Sequence, residues 1–158
     1  MNVEVDVQIA SKSANLPTPE DLKFWVTTAL SIASKDNLEL TVRIVDEVEM
    51  RALNRDYRKQ DRPTNVLSFP FDDPPGVKTS LLGDILICAP VVEGEAREFG
   101  LKLNERWAHM VVHGVLHLCG YDHLHENDAY VMTNLELQIL EKLEFDNREL
   151  SASVLSEH

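Results

Sequence analysis

The sequence predicts an α+β domain: a small mixed four-stranded sheet packed with about five helices. Three observations lead there. Four short segments are β-branched or alternate between polar and apolar residues. Longer segments between and after them repeat their apolar residues at helical spacing and carry capping signals. The chain has 158 residues and a hydrophobic content of 44%, which suits one domain with one sizeable core.

The elements follow in order. Asn2–Ile9 alternates, with Val3, Val5, Val7 and Ile9 on one face, and reads as a strand. A helix follows in "TPEDLKFWVTTALSIASK": Thr18 is a good N-cap, Pro19 fits the first helical position, and Asp21 completes a capping-box pattern. Its apolar stripe is Leu22, Val26, Ala29 and Ile32/Ala33. Leu38–Val45 is a strand with Leu40, Val42 and Ile44 on one side. Glu47–Arg58 is helical, with Met50, Leu53 and Tyr57 facing inward and Arg51, Arg55 and Arg58 on another face. Asn65–Phe69 and Leu82–Cys88 are two further strands, joined through the loop "DDPPG". Val91–Phe99 is a helix that Gly100 ends. Asn104 caps a long helix to Cys119, with Gly120 as its left-handed terminator. A last helix covers Asn127–Leu143, with Met132, Leu135, Ile139, Leu140 and Leu143 inward. Residues 1–150 form the single domain, and residues 151–158 are expected to fray.

Composition narrows the function classes. No apolar run is long enough to span a bilayer, and the N-terminus has no basic stretch followed by an apolar one. A cytoplasmic location is expected. Cys88 and Cys119 are too few for a disulfide scaffold and read as free thiols. The net charge of −12 argues against generic nucleic-acid binding, which rests on phosphate neutralisation. The distribution is uneven, however. Glu126–His158 is strongly acidic, whereas Arg51–Arg62 holds five of the fifteen Lys and Arg residues beside only Asp56 and Asp61. That leaves room for a local basic surface.

The most informative stretch is "HGVLHLCGYDH", His113 to His123. His113 and His117 lie one helical turn apart and project from one face. Gly120 stops the helix, and the returning chain brings His123 over the same face. Three imidazoles suit one Zn²⁺ ion with a fourth position left for water; they also accept nickel or copper. His109 lies on the same face and is expected behind the ligands as a hydrogen-bonded histidine; His125 and His158 default to solvent. Asp122 either orients a ligand histidine or caps the next turn. A zinc peptidase of this spacing keeps a glutamate after its first histidine, but Gly114 stands there and cannot carry a proton. Phosphodiester cleavage has a different need, charge stabilisation at the phosphoryl oxygens, which an arginine meets well.

The second stretch is "NRDYRKQDRPTNVLSFP", Asn54–Pro70. It couples the basic helix to a strand, and with few carboxylates nearby that helix's Arg51, Arg55 and Arg58 stripe reads as under-neutralised. Asn65 and Ser68 are either polar groups of a cleft or plain turn and strand residues, and Asp84 in "LGDILI" either meets the arginines or begins a strand.

Together "NRDYRKQDRPTNVLSFP", "LGDILI" and "HMVVHGVLHLCGYDH" resemble the YbeY family of bacterial rRNA maturation factors, single-domain zinc-dependent endoribonucleases. The resemblance spans nearly the whole chain. It implies that His113, His117 and His123 bind zinc and that Arg58 is the functional basic residue. It also implies single-stranded RNA as substrate, a part in 16S rRNA 3′-end processing and ribosome quality control, and ribosomal partners. The acidic net charge then calls for binding through a restricted cleft or through ribosomal proteins. Two other readings remain at this point. One is a metalloprotease-like hydrolase that recruits an acid such as Glu136 or Glu126 from elsewhere. The other is a non-catalytic ribosome assembly factor with a structural zinc.

Overall fold

The computed structural model describes residues 3–33, 38–121 and 126–143. The tail at 151–158 and the residues Asp122, His123 and His125 lie outside them. The strands are β1 (Val3–Ile9), β2 (Leu38–Val45), β3 (Val66–Pro70) and β4 (Leu81–Cys88). The helices are α1 (Pro19–Ile32), α2 (Glu47–Arg58), α3 (Ala89–Phe99), α4 (Leu103–Leu118) and α5 (Glu126–Lys142). One mixed sheet has the order β1-β2-β4-β3. β1, β2 and β4 run parallel, and β3 returns antiparallel to β4. This is the expected α+β single domain.

Local chemistry accounts for the ends of the elements. Thr18 accepts a hydrogen bond from the backbone N–H of Asp21 at 3.1 Å, and Pro19 opens α1 where no donor is needed. Gly100 closes α3 at φ 68°, and Gly120 follows α4 at φ 98°; both are left-handed conformations that glycine adopts without steric cost. The start of α4 differs from expectation. Lys102, not Asn104, is the N-cap, and no side chain caps it, so Asn104 falls inside the first turn.

Each sheet face has its own core. Leu40, Val42, Ile44, Ile85 and Ile87 point to one face and pack against α1, α4 and α5. A smaller cluster on the other face, Val45, Met50, Leu67, Leu86 and Cys88, lies under α2 and α3. Burial pushes the Cys88 thiol up to about 11, so it is an inert packing residue. Two expected inward residues face out. Ile9, at the end of an edge strand, is 51% exposed, and Tyr57 is 65% exposed. Tyr57 lies in the last turn of α2, beyond Met50 and Leu53, which reach the smaller core. There Tyr57 meets Phe69 edge to face, with centroids 5.2 Å apart.

α4 is buried on nearly every side, including its polar residues Arg106, His109 and His113. It crosses the sheet against β4 and β3 and is flanked by α1, α3 and α5. At Gly114 a Cβ would lie 2.7 Å from Cγ2 of Ile85, inside the contact distance of two carbon atoms. The glycine after the first histidine is therefore a packing requirement. No glutamate fits between this helix and the sheet.

Candidate active site

A cleft of about 970 Å³ opens where the C-terminal end of α2, the 60–65 turn, β3, α3 and α4 meet. Its lining includes Tyr57, Arg58, Arg62, Asn65, Ser68, Glu95, His113 and His117. The structure therefore brings together Arg58, His113 and His117 out of the expected site residues. His123 lies outside the described residues. Among the described residues, no group of three or more His, Cys, Asp or Glu side chains is placed to hold a metal ion.

The four polar residues Arg106, His109, His113 and His117 lie along one face of α4, at steps of three, four and four. They are joined by hydrogen bonds, and the donors can be assigned from one end. Arg106 has only donors. Its Nη1 lies 2.9 Å from Nδ1 of His109, so that nitrogen accepts. The His109 proton is then on Nε2, which donates to Oε2 of Glu136 at 2.9 Å. The other oxygen of Glu136 lies 2.8 Å from Nδ1 of His113.

Glu136 is fully buried. Burial pushes its pKa up, but the hydrogen bonds from His109 and His113 outweigh that and hold the carboxyl well below the usual range. An anionic Glu136 only accepts, so Nδ1 of His113 carries a proton and its Nε2 is the nitrogen turned toward the cleft. That nitrogen lies 3.1 Å from Nε2 of His117. Two ring nitrogens so close need a proton or a cation between them. A tetrahedral ion with nitrogen ligands at ~2.1 Å would separate them by about 3.4 Å, so the pair fits such an ion with little movement. A carboxylate behind a ligand histidine is also the usual support of a zinc site.

The far end of the network returns to the cleft. Arg106 also donates to Glu95 at 3.0 Å, and Glu95 accepts from Nδ2 of Asn65 at 3.3 Å. Asn65 spends its own oxygen on the backbone N–H of Val66. Ser68 donates to the Gly114 carbonyl at 3.1 Å, which ties β3 to α4. Asp84 sits within β4 and forms no ion pair with the arginines among the described residues. His109 holds the place expected of it. Glu136 does not: with both oxygens bonded to histidines and no exposure, it is closed to substrate and cannot act as a peptidase base. Arg106 and Glu95 were not anticipated. The signal for Arg106 is present in the sequence, since it continues the histidine stripe one turn back on an otherwise apolar helix.

The arginine stripe is not bare as expected. Lys59 closes α2 in a left-handed conformation at φ 60°, and Nδ2 of Asn54 donates to the carbonyl of Arg62 at 2.8 Å. This turn folds Asp61 back over α2, where it takes Arg51 in two hydrogen bonds of 2.8 and 3.2 Å. Arg55 pairs with Asp56 at 3.3 Å. Arg58 has no hydrogen bond or ion pair among the described residues, and Arg62 meets only the neutral amide of Gln60. Of the four arginines between positions 51 and 62, the two without a carboxylate partner among the described residues are the two that line the cleft.

Comparison with known proteins identifies the family. The family model described as Endoribonuclease YbeY matches residues 6–144. The solution structure of TM1509 from Thermotoga maritima is similar, with a TM-score of 0.56 and 30% sequence identity over 85% of this chain and 87% of that one. The chain belongs to the YbeY family of endoribonucleases, hydrolases that cut RNA within the strand.

Proposed function

We propose that this protein is a zinc-dependent endoribonuclease that cuts single-stranded RNA in the cytoplasm, acting in 16S rRNA 3′-end maturation and ribosome quality control. One observation carries the reading: the facing Nε2 atoms of His113 and His117 open onto the same cleft as Arg58. His113 and His117, with His123, would hold the ion. When bound, zinc supplies a Lewis acid for water and for the phosphoryl oxygens. Arg58 binds the scissile phosphate and stabilises the charge that grows on it in the transition state. Glu136 keeps the proton of His113 on Nδ1, so that its other nitrogen stays directed at the cleft. Ribosomal RNA and ribosomal proteins are the partners this reading implies.

The test combines zinc content per chain with cleavage of a single-stranded RNA, with and without chelator. Cleavage should require the metal. Arg58→Ala should keep its zinc and lose turnover by roughly 100-fold or more, as expected for one transition-state donor. Undiminished turnover would remove Arg58 from the mechanism. His117→Ala separates this reading from a purely structural zinc: the variant should stay folded and be inactive.

A further inference from the structure

We infer that Tyr57 is the platform on which an unpaired RNA base stacks at the cleft, beside the phosphate held at Arg58; the inference rests on the endoribonuclease reading. Tyr57 is a large aromatic side chain left 65% exposed in the last turn of α2, beyond Met50 and Leu53, which pack inward; Val48, in the first turn and away from the cleft, is exposed as well. It lines the same cleft as Arg58, His113 and His117. Its ring is held in place: Phe69, on β3, contacts it at 5.2 Å with an interplanar angle of 68°. A near-perpendicular contact fixes a ring without covering it as a parallel stack would. Phe69 in turn packs against the smaller core, so the support is rigid.

A fixed, uncovered aromatic ring beside two cations without carboxylate partners among the described residues, Arg58 and Arg62, has the makeup of a single-strand binding surface. Such surfaces pair a positive track for the backbone with rings that take bases by stacking. Every base has a face to offer, so Tyr57 would tolerate any sequence. A base in a duplex has both faces occupied by its neighbours and cannot stack there without being unpaired. Tyr57 would therefore select strand state rather than sequence. It contacts substrate away from the reacting phosphate, so its loss should raise KM and leave kcat nearly unchanged.

The experiment measures kcat and KM for Tyr57→Ala and Tyr57→Phe on a short single-stranded RNA. A companion series of the same RNA carries one abasic nucleotide at each position in turn. Tyr57→Ala should raise KM roughly 5- to 150-fold, the range expected for one stacked base, while Tyr57→Phe stays near wild type. One abasic position should weaken wild-type binding by a similar factor and have no further effect on Tyr57→Ala. If Tyr57→Ala keeps the wild-type KM, or if every abasic penalty persists in that variant, the platform is refuted while the nuclease reading stands. If the wild-type protein neither binds nor cuts RNA, both fall together.

Discussion

Glu136 shows how much one residue can decide. It is a carboxylate with no exposure, bonded by both oxygens to histidines 27 and 23 residues away. Because Arg106 can only donate, Nδ1 of His109 accepts and its Nε2 donates to Glu136; the anionic Glu136 in turn takes the Nδ1 proton of His113 and turns that ring's Nε2 toward His117. Glu136→Gln should disturb this order, because its amide NH2 would meet a histidine N–H that had been donating. The expected result is a drop in zinc affinity of roughly 10- to 100-fold, measured by competition with a chromophoric chelator. The metal-free variant should also lose about 1–3 kcal/mol of stability, because one buried donor is left unpaired. Lower stability with unchanged zinc affinity would restrict Glu136 to a structural role.

At the scale of the element, α4 has to satisfy two demands. Its polar stripe faces α3, α5 and the cleft, while Gly114 allows it to approach β4. Gly114→Ala should destabilise the protein even though alanine is the better helix former by about 1 kcal/mol, because overpacking against a stiff β-branched neighbour costs about 1–3 kcal/mol. Chemical denaturation can isolate the cause. In an Ile85→Ala background the atoms that clash are gone, so Gly114→Ala should become neutral or stabilising there. If the penalty is equal in both backgrounds, the fault lies elsewhere than in the contact with Ile85. The same helix marks how far the sequence could be read. Periodicity and caps were enough for α1, β2 and α2, whose signals are local. The facing histidines were legible because both lie on one turn of helix. The hydrogen bonds linking Asn65, Glu95 and Arg106 span as many as 30 residues, and no spacing rule relates positions on different elements. Tyr57 was misjudged for a related reason. Helical spacing says which face a residue occupies, but not how far along the helix the core beneath it extends.

Across the whole molecule, a net charge of −12 has to be reconciled with an RNA substrate. The structure separates the charges. Glu4, Asp6, Glu39 and Asp84 line a hollow of about 580 Å³ on the sheet. In α2 and the turn after it, Asp61 and Asp56 are paired with Arg51 and Arg55, while Arg58 and Arg62 line the cleft without a carboxylate partner among the described residues. A phosphate backbone is thus repelled from the acidic hollow and attracted at the cleft. The salt dependence of RNA binding should report the difference, since each phosphate contact on a single strand contributes about −0.7 to the slope of log K against log salt. Removing the two ion pairs whole, Arg51→Ala with Asp61→Ala and Arg55→Ala with Asp56→Ala, should leave the slope unchanged, because no net charge is lost. Arg62→Ala should make it shallower by about 0.7, the value of one lost contact. Equal flattening by both variants would mean that the exposed ion pairs open on binding and that RNA covers the whole of α2, and the confinement of recognition to the cleft would have to be abandoned.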